Sequence, residues 1–435
     1  MDLAEVRLWG RTIGAVSQGN ADVYARFQYD PAFAGSGIEI APLTMPLARA
    51  PYAFPELDRR SFHGLPGLLA DSLPDRFGNA LIDAWLAREG REPGDFSPIE
   101  RLCYVGTRGM GALEFHPSTG PDPTADALVE VEALAELASK ILAQRSGLSV
   151  ALESGSEERA LTQLLRVGSS AGGARAKALI AWNPDTNEVR SGQIVAGSGF
   201  ESWILKFDGV RGLNDEALTD PLGYGAIEYA YALMATAAGV TMTECRLFEE
   251  GDRRHFMTRR FDRDREGRKI HMLSLAGMAH LDFNQAGAHG YEQALLVIRR
   301  LGFGMDAIEQ QFRRMAFNVV ARNQDDHVKN IAFLMNQSGA WSLSPAFDVT
   351  YAYNPSGEWT ALHQMTVNGK RDGFTLADFD AVGRAASLKR GRARTIYEEV
   401  RDAVARWPEF AGRAGVDETR TEAVTRALRL ELPRE

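Results

Sequence analysis

The sequence predicts an α+β protein of two lobes preceded by a mixed N-terminal subdomain. Three observations lead there. Residues 165–262 run in the order glycine turn, strand, strand, helix, strand, strand. Beyond 263, apolar residues recur mainly at helical spacing, giving a mainly helical C-terminal lobe. Before 120, a short hairpin pattern gives way to two helical stripes. The expected boundaries are therefore 1–120, 121–262 and 263–435. A chain of 435 residues also exceeds what one hydrophobic core usually serves.

The elements can be justified in order. "EVRLWGRTIGAVSQ" alternates as a hairpin with its turn near Gly10, and "FAGSGIEIAPLTMPL" reads as short extended pieces. Leu65, Leu68, Leu69 and Leu73 lie on one helical stripe, and "RFGNALIDAWLAREG" supplies a second helix closed by Gly90. "HPSTGPDPTAD" (116–126) is the best boundary, being rich in Pro, Gly, Ser and Thr, and an amphipathic helix follows around 127–146. "KALIAW" and "ESWILKFDG" are strands. In the second, Trp203, Leu205 and Phe207 share one face while Ile204 and Lys206 share the other. "GAIEYAYALMATAAGV" is a helix stopping near Gly239, and "ECRLFEEGDRRHFMTRRFDRD" gives two strands around a Gly-Asp turn. Phe312, Met315, Ala316, Val319 and Val320 form the stripe of a helix that ends at "QDDHVKN" (324–330). A hairpin turning near Ser338 and Gly339 comes next.

Bulk properties exclude several classes. A net charge of -9 and a pI of about 5.6 argue against a general DNA-coating surface. Two cysteines, Cys103 and Cys245, read as reduced thiols of a cytoplasmic protein rather than a disulfide scaffold. The N-terminus lacks the pattern of a signal peptide, and no apolar run is long enough to span a bilayer.

The polar chemistry concentrates at few places. Asp325 and Asn330, five positions apart after a helix, can set a carboxylate near a substrate hydroxyl and an amide oxygen on Mg²⁺. Asp348, beyond the hairpin, can return to the same place as a second metal ligand. A solvated polar turn is the simpler alternative. Asp325 and Asp326 are adjacent, and sequence chemistry alone does not choose between them. Lys206, mid-strand in "WILKF", suits a phosphate cradle if Glu228 orients its ammonium; the alternative is an edge lysine facing water. "GSSAGGARAK" offers Gly168, Gly172 and Gly173 as sites of close backbone approach, with Ser169, Ser170, Arg175 and Lys177 as anion-holding groups, or else a plain tight turn. His327 has no second histidine at ligand spacing, which argues against zinc and for a ring that supports the loop between Asp325 and Asn330. Phe261 stands either at an adenine or in apolar packing, and Asp262 either near the nucleotide or in a salt bridge between lobes.

"LWGRTIG", "LPGLLADSLPDRFGN", "VGTRGMGAL", "VGSSAGGARAKALI", "WILKF", "EYAYALMATAAGV", "RRFDR", "NQDDHVKNIAFL" and "LSPAFDV", in this order, resemble the HipA family of serine/threonine kinases, toxins of type II toxin–antitoxin systems. The resemblance covers nearly the whole chain. It implies a protein-kinase-like fold for the two lobes, ATP and Mg²⁺ as cofactors, Asp325 as catalytic base, and Asn330 and Asp348 as Mg²⁺ ligands. It implies Lys206 at the ATP phosphates, Phe261 at the adenine, and autophosphorylation of a loop serine, Ser169 or Ser170. It further implies a protein substrate such as an aminoacyl-tRNA synthetase, and a helix-turn-helix antitoxin through which DNA is contacted. A small-molecule kinase and a non-catalytic regulatory protein on the same fold are the competing expectations.

Overall fold

The computed structural model describes residues 2–19, 22–121, 129–143, 155–168, 175–193, 197–210 and 222–435. They form two compact units. The first comprises 1–39, 47–225 and 244–272, and the second 40–46, 226–243 and 273–435.

The first unit holds two antiparallel sheets. Strands β1 (Asp2–Leu8), β2 (Arg11–Gln18), β3 (Arg26–Tyr29) and β4 (Leu113–His116) are ordered β3-β2-β1-β4. The expected hairpin is present: Leu8 faces Arg11 across a turn in which Trp9 and Gly10 both have positive φ, 51° and 76°. That backbone follows the twist of the strands it joins, and glycine adopts it without penalty. The extended pieces expected after residue 32 do not form. Asp30 instead caps a single helical turn, Pro31–Ala34, by accepting from Ala32 N and Phe33 N, and the chain then runs through turns. An N-cap with proline in the first turn favours a helix start over a strand. Helix Arg76–Arg88 follows, with Gly90 at φ 71° just beyond its end.

The second sheet comprises β5 (Lys177–Trp182), β6 (Val189–Ser191), β7 (Glu201–Lys206), β8 (Cys245–Glu250) and β9 (Arg253–Arg259), ordered β6-β5-β7-β9-β8. Trp203 and Leu205 are fully buried while Ile204 and Lys206 are only half-buried, as the alternation requires. Helices Arg76–Arg88, Val131–Ala143 and Gly155–Gly168 pack on this sheet. Their Phe77, Leu81, Leu134, Ala138 and Leu164 share one apolar core with Ile180, Trp203, Leu205 and Met257.

Apart from 40–46 and 226–243, residues 1–262 fall in this one unit, and polar joints tie its segments together. Asp262 is fully buried. It takes Arg260 Nε and Nη2 at 2.8 and 2.7 Å, Arg263 Nη1 at 2.8 Å, and the backbone N–H of Gly111 at 2.8 Å. Burial alone would raise its carboxyl pKa; the two guanidinium groups and Gly111 outweigh this and hold it well below the usual range. Asp262 thus salt-bridges inside the first unit. Lys269 Nζ adds bonds to Thr107 O and Glu114 Oε1, both 2.7 Å. Lys177, expected among the anion-holding groups, is buried with its ammonium 2.9 Å from Asp75 Oδ2, whose other oxygen caps helix Arg76–Arg88 at Gly78 N.

The second unit is mainly helical. Helices Tyr291–Arg300, Met305–Val320, Leu376–Ala385, Arg392–Val404, Trp407–Ala414 and Glu418–Ala427 accompany a small sheet of β10 (His271–Ser274), β11 (Ala332–Met335) and β12 (Trp341–Leu343). Phe312, Met315, Ala316, Val319 and Val320 are all buried. Phe312 meets Phe379 edge-on at 6.2 Å, and Phe379 meets Tyr397 at 5.4 Å. No helix among the described residues is long and apolar enough to cross a membrane.

His255 gives the first unit a pH dependence. It is buried, its Nδ1 accepts the Asp208 N–H at 2.9 Å, and burial pushes its pKa down to about 4. Unfolding lets it bind a proton near the ordinary value of about 6.5, so its contribution is complete above that pH and is lost as pH falls towards 4. The loss amounts to about 3 kcal/mol at most. Urea unfolding at pH 7 and pH 5 should show it, and His255→Asn, which keeps an acceptor for Asp208, should flatten that part of the profile. Lys177→Met should leave Asp75 buried without its cation and cost about 3 kcal/mol in the same assay.

Candidate catalytic site

Helix Met305–Val320 ends at Ala321, and Arg322 turns the chain out through a positive φ of 58°. The loop that follows is not a solvated turn, because Gln324 and Asp326 are buried. Gln324 Nε2 donates to Thr360 O at 3.0 Å, and its backbone N–H donates to Ala352 O. Asp326 accepts three bonds: from Tyr291 Oη at 2.7 Å, His363 Nδ1 at 2.8 Å and Gln364 N at 2.8 Å. Burial alone would raise its pKa, but His363, Tyr291 and the Gln364 N–H together keep it below the ordinary carboxylate value. Arg429 Nη1 donates to His363 Nε2 at 2.9 Å, which places the ring proton on Nδ1, towards Asp326. Tyr291, squeezed by burial and the adjacent carboxylate, is pushed well above its ordinary pKa.

Asp325 has the opposite surroundings. Its side chain is 45% exposed, and Oδ1 accepts the Trp359 Nε1–H at 2.7 Å. Asn330, closing the short 3-10 turn Val328–Asn330, donates Nδ2 to the backbone oxygen of Asp325 at 2.8 Å. That bond engages its NH₂ group, so a ligand to a metal here could come only from the amide oxygen. Asp348 adopts φ 52°, costly for a residue with a β-carbon, and its backbone oxygen receives Asn323 Nδ2 at 3.5 Å. Asn330, Asp348, Asp326 and His327 line one recess, while Asp325 stands outside its lining. His327 Nε2 lies 3.8 Å from Asp325 Oδ1, and its buried Nδ1 has no hydrogen-bond partner among the described residues.

An amide oxygen and a carboxylate on one recess suit Mg²⁺, which takes few protein oxygens and keeps waters and phosphate oxygens for the rest. Among the described residues, no group of three or more His, Cys, Asp or Glu side chains could hold a metal. The other expected residues are placed separately. Lys206 ends β7 half-buried, its ammonium 5.7 Å from the Phe256 ring centre. Glu228 is buried in helix Tyr224–Ala237, and Phe261 is half-buried after β9. Arg175 lies over the Tyr224 ring at 4.9 Å. Ser169, Ser170, Gly172 and Gly173 lie outside the described residues.

Two family models match: the HipA N-terminal domain over residues 4–116 and the HipA-like C-terminal domain over residues 169–407, more than half of the chain. The chain belongs to the HipA family. The fold is similar to HipA in the Shewanella oneidensis MR-1 toxin–antitoxin complex of HipA, HipB and operator DNA. The TM-score is 0.67 at 16% identity, covering 97% of this chain and 94% of that one. The Helicobacter pylori proinflammatory kinase CtkA aligns with 52% of this chain and 92% of its own at 12% identity, with a TM-score of 0.30. No curated protein matches. The HipA fold here is α+β, with a mixed N-terminal sheet region and a mostly helical C-terminal region.

Sequence reasoning missed Trp359, Tyr291, His363 and Gln364. Each lies more than 30 residues from the aspartate it meets, and none belongs to a local motif. Two variants should separate the adjacent aspartates. Asp326→Ala should unfold the second unit more easily by about 3 kcal/mol, since it leaves three buried donors bare. Trp359→Phe should cost only about 1 kcal/mol, one exposed-side bond. Comparable losses from the two would show that Asp326 is not the anchor.

Proposed function

We propose that this chain is an ATP- and Mg²⁺-dependent serine/threonine protein kinase, the toxin of a toxin–antitoxin pair. The observation that carries the reading is the division of labour at residues 325 and 326. Asp326 is consumed by three donors, whereas Asp325 is exposed and held from behind, beside a recess that presents Asn330 and Asp348.

In this reading Asn330 and Asp348 hold Mg²⁺, which neutralises phosphate charge on ATP. Asp325 accepts the proton of the acceptor hydroxyl as its oxygen bonds to the γ-phosphorus and the bond to the β-phosphate oxygen breaks, releasing ADP. Lys206 is assigned to the phosphates, Glu228 to its orientation and Phe261 to the adenine. Ser169 or Ser170 is the proposed site of autophosphorylation. The acceptor class to test first is an aminoacyl-tRNA synthetase. The Shewanella structure contains HipB and operator DNA, and a helix-turn-helix antitoxin is the matching proposal for this chain, with DNA reached through that partner.

Incubating the pure chain with labelled ATP, Mg²⁺ and bacterial extract, then separating proteins from metabolites, tests the reading. Label should enter protein, and Asp325→Asn and Asp348→Asn should each lower transfer by about 10²- to 10⁴-fold without unfolding the chain. Lys206→Ala should mainly raise KM for ATP. Label in a metabolite alone would assign a small-molecule kinase. ATP binding with no transfer to either pool would assign a regulatory protein.

A further inference from the structure

Five buried polar atoms of side chains that line the Asn330–Asp348 recess have no hydrogen-bond partner among the described residues. They are Gln311 Oε1, Arg314 Nε and Nη1, Asn323 Oδ1 and His327 Nδ1. Gln311, Arg314 and Asn323 are 1%, 7% and 2% exposed, so bulk solvent does not satisfy them. Polar groups this deep are seldom left bare. Their types are complementary, since Arg314 offers N–H donors while Gln311 and Asn323 offer carbonyl oxygens.

A water molecule can accept from the first and donate to the others. The cavity volume, about 20 Å³, fits this ligand, since a water needs roughly 10–15 Å³. The same side chains also grip the segment that carries Asp348. Arg314 Nη2 donates to Ser344 O, and Asn323 Nδ2 reaches Asp348 O at 3.5 Å. Asp348 sits at a positive φ and requires such support.

We propose that this recess is a buried water site, and that Arg314, bridged by that water to Gln311 and Asn323, is the positioning residue that holds Asp348 in its ligating conformation. The role for Asp348 rests on the metal reading above; the water site does not. Arg314 acts through Ser344 and the water, without touching metal or substrate.

A high-resolution crystal structure of the full chain tests the site directly. One or two ordered waters should lie within hydrogen-bond distance of Arg314 Nε or Nη1 and of Gln311 Oε1 or Asn323 Oδ1. An empty recess, or one closed by side chains, would overturn the proposal. Calorimetric titration tests the positioning role, with Mn²⁺ added to the chain saturated with a non-hydrolysable ATP analogue. Arg314→Met should weaken Mn²⁺ binding about tenfold, as loss of a supporting hydrogen-bond partner does elsewhere. Its affinity for the metal-free analogue should not change, and Arg314→Lys should recover part of the loss. Should Arg314→Met fail to fold, Gln311→Leu removes a water acceptor while leaving the Ser344 bond intact; it should lose the water and weaken Mn²⁺ several-fold. Unchanged Mn²⁺ affinity in the folded variant would overturn the positioning role. A wild-type chain that binds neither Mn²⁺ nor the analogue would sink the kinase reading, leaving the crystallographic waters to decide the site.

Discussion

The buried carboxylate of Asp326 is the constraint on which the second unit's site depends. Its three donors come from the start of one helix, a buried histidine and a backbone N–H, and together they fix the loop after helix Met305–Val320. An ionised group in so dry a place is tolerated only when its lone pairs are filled. Once Asp326 is turned inward, chain geometry leaves Asp325 facing out. Trp359 then needs only one hydrogen bond to orient it. The backbone oxygen of Asp325 is free to receive Asn330, which couples the position of the carboxylate to that of the amide.

The first unit uses the same device three times. Asp75 caps a helix and takes the Lys177 ammonium, Asp262 gathers Arg260, Arg263 and Gly111, and Asp208 accepts from Gly223, Gly225 and Arg254. Each joins segments distant in sequence, which is why the first 120 residues do not stand apart from the strands at 245–259. Buried aspartates in this protein are fasteners. Among the candidate residues, Asp325, Asn330, Asp348 and Lys206 remain at least partly open to solvent, while Glu228 is buried.

The recess beside Asp348 joins these two themes. Among its lining residues, Gln311, Arg314 and Asn323 are buried and incompletely paired among the described residues, unlike the filled shells of Asp326 and Asp262. The positive φ of Asp348 belongs to the same picture, as backbone strain persists only where surrounding bonds overdetermine it.

Much of this was legible from residues alone. The hairpin at Gly10, the two faces of β7, the helix ending at Gly239 and the hairpin at 332–343 all follow from local periodicity and turn chemistry, which neighbouring residues decide. Asn330 and Asp348, expected near one another, both line one recess. The helical turn at Pro31–Ala34 escaped because one cap outweighed an extended-looking composition. Lys177 looked like a phosphate ligand because its neighbours are glycines; its true partner, Asp75, lies 102 residues earlier. By itself, the sequence determined the elements, the family motifs and the short list of reactive groups. Only the tertiary structure decided which of two adjacent aspartates faces solvent. Tyr291, His363 and Gln364 converge on Asp326 from 35 to 38 residues away, and no local pattern encodes a contact made only when those segments pack.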